Sequence, residues 1–307
     1  MFDIICKALS FVCIILLGIL FRRIGLLDEK MAIGIRNVLM YLTLPCSIIT
    51  NFAVSSDIDI TLGLIMVWGF VVDVGMMAIA YLYIGRKPSD KDSVYLFGIP
   101  SFNIGAFALP FVQNFLPGMG VVTACCFDAG NAIICTGGEY AWVTGRKSGK
   151  KGIDLKYCAK QLVSSPALIA YVGMFLFTIL GGKLHPRIIS FLSPIAQANT
   201  FVAMLMIGSL FQLKLKKEYL SHCARVLSIR FVIATLLAVF TYYMMPLPLI
   251  EKQALILLYF APLSAIAPAY VAMVDGDSGM ASCINSLSII ISLIMIPLLT
   301  VLLHIGL

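Results

Sequence analysis

The chain has 307 residues, of which 61% are hydrophobic and 12% charged, with a net charge of +7 and a mean hydropathy of +1.00. A soluble domain carries roughly 25% charged residues, and one soluble core cannot hide this much apolar surface, so the lipid bilayer is the expected solvent and no length is left for a separate soluble domain. The basic residues lie in short segments between apolar runs rather than along one polar face, which excludes a nucleic-acid partner.

The first apolar run, about 4–21, lacks a basic leader and a small-residue cleavage pattern, and Arg22 and Arg23 follow it. It reads as a first membrane span and not as a cleaved signal. Further runs fall at about 37–55, 61–84, 95–116, 119–143, 162–181, 188–213, 226–245, 253–274 and 280–303. Each is long enough to cross about 30 Å of hydrocarbon as a helix. Helix is the required form, because an isolated strand would leave its backbone groups unpaired in lipid. The expected fold is therefore an all-α polytopic membrane protein of ten transmembrane helices.

Eighteen Lys and Arg residues fall in the loops after spans 1, 3, 5 and 7, and four fall on the opposite side. Basic residues are retained in the cytoplasm, so both termini are expected outside a cell (inner) membrane. This count assigns Arg225 and Arg230 to the loop after span 7. The basic segment 146–160 is a cytoplasmic linker between 1–145 and 161–307, each with five spans. Five is odd, so the halves must cross the membrane in opposite senses, which is the arithmetic of an inverted-repeat transporter.

Spans 4 and 9 differ from the rest. Span 4 holds Pro100, Pro110 and Pro117, and span 9 holds Pro262 and Pro268. In each, a glycine follows the second proline by eight residues: Gly118 after Pro110, Gly276 after Pro268. Proline removes a backbone donor and clashes with the preceding turn, so both helices should break or kink. A kink alone is ordinary in a membrane helix. Two interrupted spans at matching positions in two halves point instead to a transport site.

The segment 100–111, PSFNIGAFALPF, resembles the fourth-span motif of the auxin efflux carrier family, in which an Asn-centred break precedes Gly-x-x-x-Pro or a near variant. The segment 262–274, PLSAIAPAYVAMV, is similar to that family's ninth span, SLSIIISLIMIPLL from Ser286 to its last span, and SPALIAYVG from Ser165 to the opening of its sixth. The short 146–160 linker looks like that of the bacterial members labelled malate or malonate permeases, not the long loop of plant members. The resemblance implies a fold like that of bile-acid symporters and sodium/proton antiporters, with broken helices 4 and 9 crossing at the midplane. It also implies a scaffold of spans 1, 2, 6 and 7, a moving core of spans 3–5 and 8–10, and a homodimer through the scaffold.

The second half of each broken helix exposes unpaired amides carrying a partial positive charge, which makes a small anion site without a lysine. No Lys or Arg is expected mid-membrane in spans 3–5 or 8–10. Asn103 lies at the break, where its amide can cap the helix or donate to a substrate carboxylate. Ser264 is the counterpart in span 9, Pro110, Pro262 and Pro268 frame the crossing, and Gln113 and Asn199 are secondary candidates. Intramembrane ionisable residues are costly and functional by default, so Asp128, with Asn131 one turn later, and Asp73 in span 3 are candidates for proton or ion coupling. The structural alternative for Asp128 is a neutral acid hydrogen-bonded inside the core. Glu139, beside Arg146 near the inner surface, reads as a solvated pair, and Asp275 and Asp277 as residues solvating a turn.

The nine cysteines form no C-x-x-C pair and read as apolar packing, so no metal or cofactor is expected. There is no H-E-x-x-H, nucleophile motif or phosphate loop, and hence no catalytic constellation. The expected function is secondary transport of a small organic anion, a dicarboxylate or auxin-like carboxylate, by uniport or proton-linked exchange. The alternatives are a sodium-coupled symporter or cation/proton antiporter of the same fold, and a membrane sensor without transport.

Overall fold

The computed structural model describes residues 2–55, 58–85, 92–147, 160, 162–211 and 215–305, apart from the side chains of 2–5 and 145–147. Most of the linker 146–160 lies outside the described residues. Among the described residues all regular structure is helical. The helices are α1 (Phe2–Arg23), α2 (Glu29–Val54), α3 (Leu62–Ile84), α4 (Asp92–Gly98), α5 (Ile104–Phe115) and α6 (Met119–Thr144) in the first half. The second half has α7 (Pro166–Ile179), α8 (Pro186–Leu210), α9 (Lys217–Met244), α10 (Leu249–Tyr259), α11 (Ala267–Met273) and α12 (Ser278–Leu302). Of these, α2, α3, α6, α8, α9 and α12 are each long and apolar enough to cross a bilayer. The protein is a polytopic, all-α membrane protein.

Both proline-rich spans are interrupted. The helix α4 stops at Gly98 and α5 resumes at Ile104; α10 stops at Tyr259 and α11 resumes at Ala267. Pro100 and Pro262 fall inside these gaps, where the missing N–H and the ring clash end the preceding helix. Ser101 takes φ 51, a left-handed conformation uncommon for a residue with a Cβ. The two gaps touch: the Asn103 N–H donates to the Pro262 carbonyl at 2.9 Å.

Small residues set how closely the helices approach, as is usual within membranes. α1 lies on α8, where a Cβ added at Gly208 would come within 2.1 Å of the Ile15 carbonyl oxygen. α3 lies on α6, where a Cβ at Gly130 would meet the Met66 carbonyl oxygen at 2.0 Å. α2 also packs on α7 and α8, α10 on α6 and α9, and α11 on α12. α6 is the central post: 78% of its apolar window is buried, against 17–39% for the other five long helices. Polar residues on α6 therefore face protein and not lipid. The outer helices show lipid-facing apolar side chains such as Leu82, Leu180 and Leu236.

Two residues lie elsewhere than the sequence suggests. Arg230 is not in a loop: it lies in the middle of α9 and is 2% exposed. The expected span 226–245 already contains it, and the helix begins earlier still, at Lys217; counting every basic residue as a loop residue is what misplaced it. Removing Arg230 from the tally leaves seventeen basic residues against four, the same sense as before. Glu139 is not a solvated surface group either. It is fully buried, just beyond a π-helical turn at Ile134–Gly138.

Candidate functional site at the helix breaks

The break in span 4 is held from α6. Asn131 pairs with the Phe102 backbone in both directions: its Oδ1 accepts from the Phe102 N–H at 2.9 Å, and its Nδ2 donates to the Phe102 carbonyl at 3.0 Å. The remaining Nδ2 hydrogen goes to Asp128 Oδ1 at 2.8 Å. Spacing of three residues puts Asp128 and Asn131 on one helix face, which is why one side chain can serve both partners. Asp128 Oδ2 accepts from the Tyr171 hydroxyl of α7 at 2.8 Å. Asp128 thus joins α6 to α7, with both carboxylate oxygens bonded inside the protein.

Asn103 stands at the N-terminal end of α5, which opens with a π-helical turn at Ile104–Ala108. Only 9% exposed, its side chain makes no capping bond to the helix and no other hydrogen bond among the described residues. The capping role is not realised, and both amide hydrogens are left free in a buried place. Asn103 is a side chain of the break with donors to spare.

The span 9 side is not a mirror image. Ser264 lies 2.9 Å from Cys135 Sγ and accepts from the Ile266 N–H at 3.4 Å, so its hydroxyl is engaged locally. Cys135 is correspondingly more than apolar filling. Ser288 holds the Leu263 N–H at 3.3 Å. Pro268 occupies the first turn of α11, where its missing N–H costs nothing. Pro110 lies in α5, its carbonyl accepting from Asn114 at 2.9 Å.

Gln113 is not brought to this group. It stands ten residues beyond Asn103, about 15 Å along a helix. Its Nε2 donates to Ser47 of α2, and its Oε1 accepts from Asn199 of α8 at 3.1 Å. Asn199 in turn accepts from Thr43 at 3.1 Å, and Asn114 donates to Thr200 at 3.1 Å. These residues form a polar seam that fastens α5 to α2 and α8.

A second charged group lies behind the break and escaped the sequence reading. Arg230 directs Nη1 at the carbonyls of Gly98, Ile99, Pro100 and Ser101, at 3.4, 2.5, 3.0 and 2.9 Å. Its Nη2 reaches the Ala261 carbonyl at 3.3 Å, and the guanidinium lies 5.0 Å from the centre of the Phe102 ring. Asp73 and Glu139, both fully buried, share this electrostatic environment with Arg230. Both carboxyls turn toward Ser101, but none of their four oxygens meets hydrogen-bond geometry. The signal in the sequence was an arginine embedded in VLSIRFVI, with apolar residues on both sides. Among the described residues, no group of three His, Cys, Asp or Glu side chains is placed to hold a metal ion.

Residues 3–147 match the family described as membrane transport protein. The chain is also similar to an uncharacterized transporter of Methanothermobacter thermautotrophicus (strain Delta H). The two are 22% identical over 301 residues, which cover 96% of this chain and 97% of that protein.

Proposed function

We propose, from the premise that this chain is a membrane transporter and not an enzyme, with residues 3–147 belonging to the membrane transport protein family, that it is a secondary transporter of a small organic anion. The observation that carries this reading is the free, buried Asn103 amide where two interrupted helices meet. Its donors and the first amides of α5, a twelve-residue helix with a positive N-terminal end, suit a carboxylate. Dicarboxylates and auxin-like carboxylates are the substrate classes in view. The wider scheme is two inverted repeats, 1–145 and 161–307. The scaffold is α1, α2, α7 and α8, and the core, α3–α6 and α9–α12, moves against it as an elevator.

The direct test is a thermal-shift screen of the purified protein with malate, malonate and indole acetate, against their neutral amides. Carboxylates should raise the melting temperature and the amides should not. Equal shifts from both sets, or from neither, would remove the anion reading.

Proton linkage has a structural carrier in Asp128, whose bond to Tyr171 joins the core helix α6 to the scaffold helix α7. Protonation turns one carboxylate oxygen from acceptor to donor and so changes that joint. Asp128→Asn is expected to retain carboxylate binding but to flatten its dependence on pH, read from the affinity between pH 5 and 8. An unchanged pH profile would make Asp128 structural and leave uniport.

The remaining parts of the scheme are termini outside the cytoplasm of a cell membrane and a homodimer through the scaffold. On a cysteine-free background, single cysteines at Ser55 and at Ser148, the latter outside the described residues, should label from opposite faces, Ser148 from the cytoplasm. Labelling from one face would refute the orientation. A monomeric mass in several mild detergents would refute the dimer.

A further inference from the structure

We infer that Arg230 is a tethered cation: its guanidinium occupies the place where a free monovalent cation would otherwise sit, at the carbonyl ends of the two first half-helices, so that the crossing works without sodium. The end of a helix leaves backbone oxygens without partners and carries a partial negative charge. At membrane depth no water satisfies them. Here two such ends, those of α4 and α10, converge, and one buried side chain serves both. Four successive carbonyls, from Gly98 to Ser101, lie within 3.4 Å of Nη1, and the Ala261 carbonyl lies 3.3 Å from Nη2.

Converging carbonyls at interrupted helices are the usual coordination shell of a coupling sodium ion in secondary transporters. A guanidinium offers the same charge with donors arranged in a plane, and it does not deprotonate in proteins. It is also covalently held in the middle of α9, so it cannot exchange with the medium. Asp73 and Glu139 lie buried in the same environment, with oxygens that make no hydrogen bond. Without the guanidinium, the converging carbonyls would form an oxygen-rich cluster suited to a hard cation.

The tethered-cation role stands on this geometry alone. The sodium independence of substrate binding rests in addition on the crossing being the transport site. The test therefore reads the two separately. Purified wild type and Arg230→Ala are melted at constant ionic strength in chloride salts of N-methylglucamine, sodium, potassium and low-millimolar guanidinium. Wild type should be indifferent to the salt. Arg230→Ala should melt lower by about 5–10 °C in N-methylglucamine and recover saturably with a small cation, as expected for a ligand that binds only the folded state. A folded Arg230→Ala with the same melting temperature in all four salts would overturn the tethered-cation role.

If Arg230→Ala cannot be purified, Arg230→Lys decides. The ammonium keeps the charge on α9, so its melting should stay insensitive to sodium and potassium, and a sodium-dependent gain would count against the inference. Carboxylate-induced shifts in wild type form the second arm. Shifts of equal size in sodium and in N-methylglucamine support cation-free binding, and shifts seen only in sodium overturn it. If no carboxylate shifts wild type while Arg230→Ala is still rescued by cations, the proposed substrate fails and the role of Arg230 stands.

Discussion

Asn103→Ala is expected to weaken carboxylate binding by roughly 10- to 150-fold, the worth of a hydrogen bond to a charged group, without lowering the melting temperature. The Asn103 side chain makes no cap and no other hydrogen bond in the described protein, so alanine leaves no partner unsatisfied. Asn103→Asp should lose more, because it places a negative charge beside the position of the anion in a buried setting where screening is weak. Isothermal titration or the same thermal-shift series reads both variants. Binding by folded Asn103→Asp as tight as wild type would remove the anion from this crossing. A large drop in melting temperature for Asn103→Ala would show instead that the amide has a structural partner.

The other large effect falls on stability. Asn131→Ala strips the Phe102 N–H and carbonyl of their partners and frees Asp128 Oδ1 in one step. Asn131 is 2% exposed, so water does not replace it easily. Each buried group left unsatisfied costs about 1–3 kcal/mol, so the two Phe102 groups together cost about 2–6 kcal/mol. The melting temperature should fall markedly, and substrate binding should fall with it, because the gap that holds Asn103 is no longer fixed. Asn131→Asp keeps an acceptor for the Phe102 N–H but loses both donors, and should lie between. If Asn131→Ala melts within about 2 °C of wild type, less than 1 kcal/mol separates them, and the break is held by something other than this amide.

Together these variants separate the roles of residues that are close in sequence. Asn103 is free and therefore available to a ligand. Asn131 is fully used and therefore a holder. Asp128 is bonded on both oxygens, but one bond crosses between helices assigned to the core and the scaffold. Gln113, which carries similar chemistry, belongs to the seam with Ser47 and Asn199.

The sequence by itself determined what depends on local covalent chemistry. Apolar run lengths mark the membrane-crossing helices. Pro100 and Pro262 end α4 and α10 wherever the rest of the chain goes, because a missing N–H and a ring clash are properties of the residue. The spacing of Asp128 and Asn131 already put them on one face of one helix. Tertiary structure decided the meeting of groups far apart in the chain. The apolar run 226–245 contains Arg230, but the basic-residue count assigns every arginine to a loop. The carbonyls that offset the cost of burying it, from Gly98 to Ser101 and at Ala261, belong to other helices. Glu139 likewise looks like a surface charge until α6 is seen to be buried on most sides. Asn103 and Ser264 look equivalent in sequence, but only Asn103 is left free, since Cys135 and the Ile266 N–H engage the serine. A backbone oxygen is the same in every residue, so side-chain identity does not record which oxygens lack a partner. That need appears only once the broken helices have been brought together.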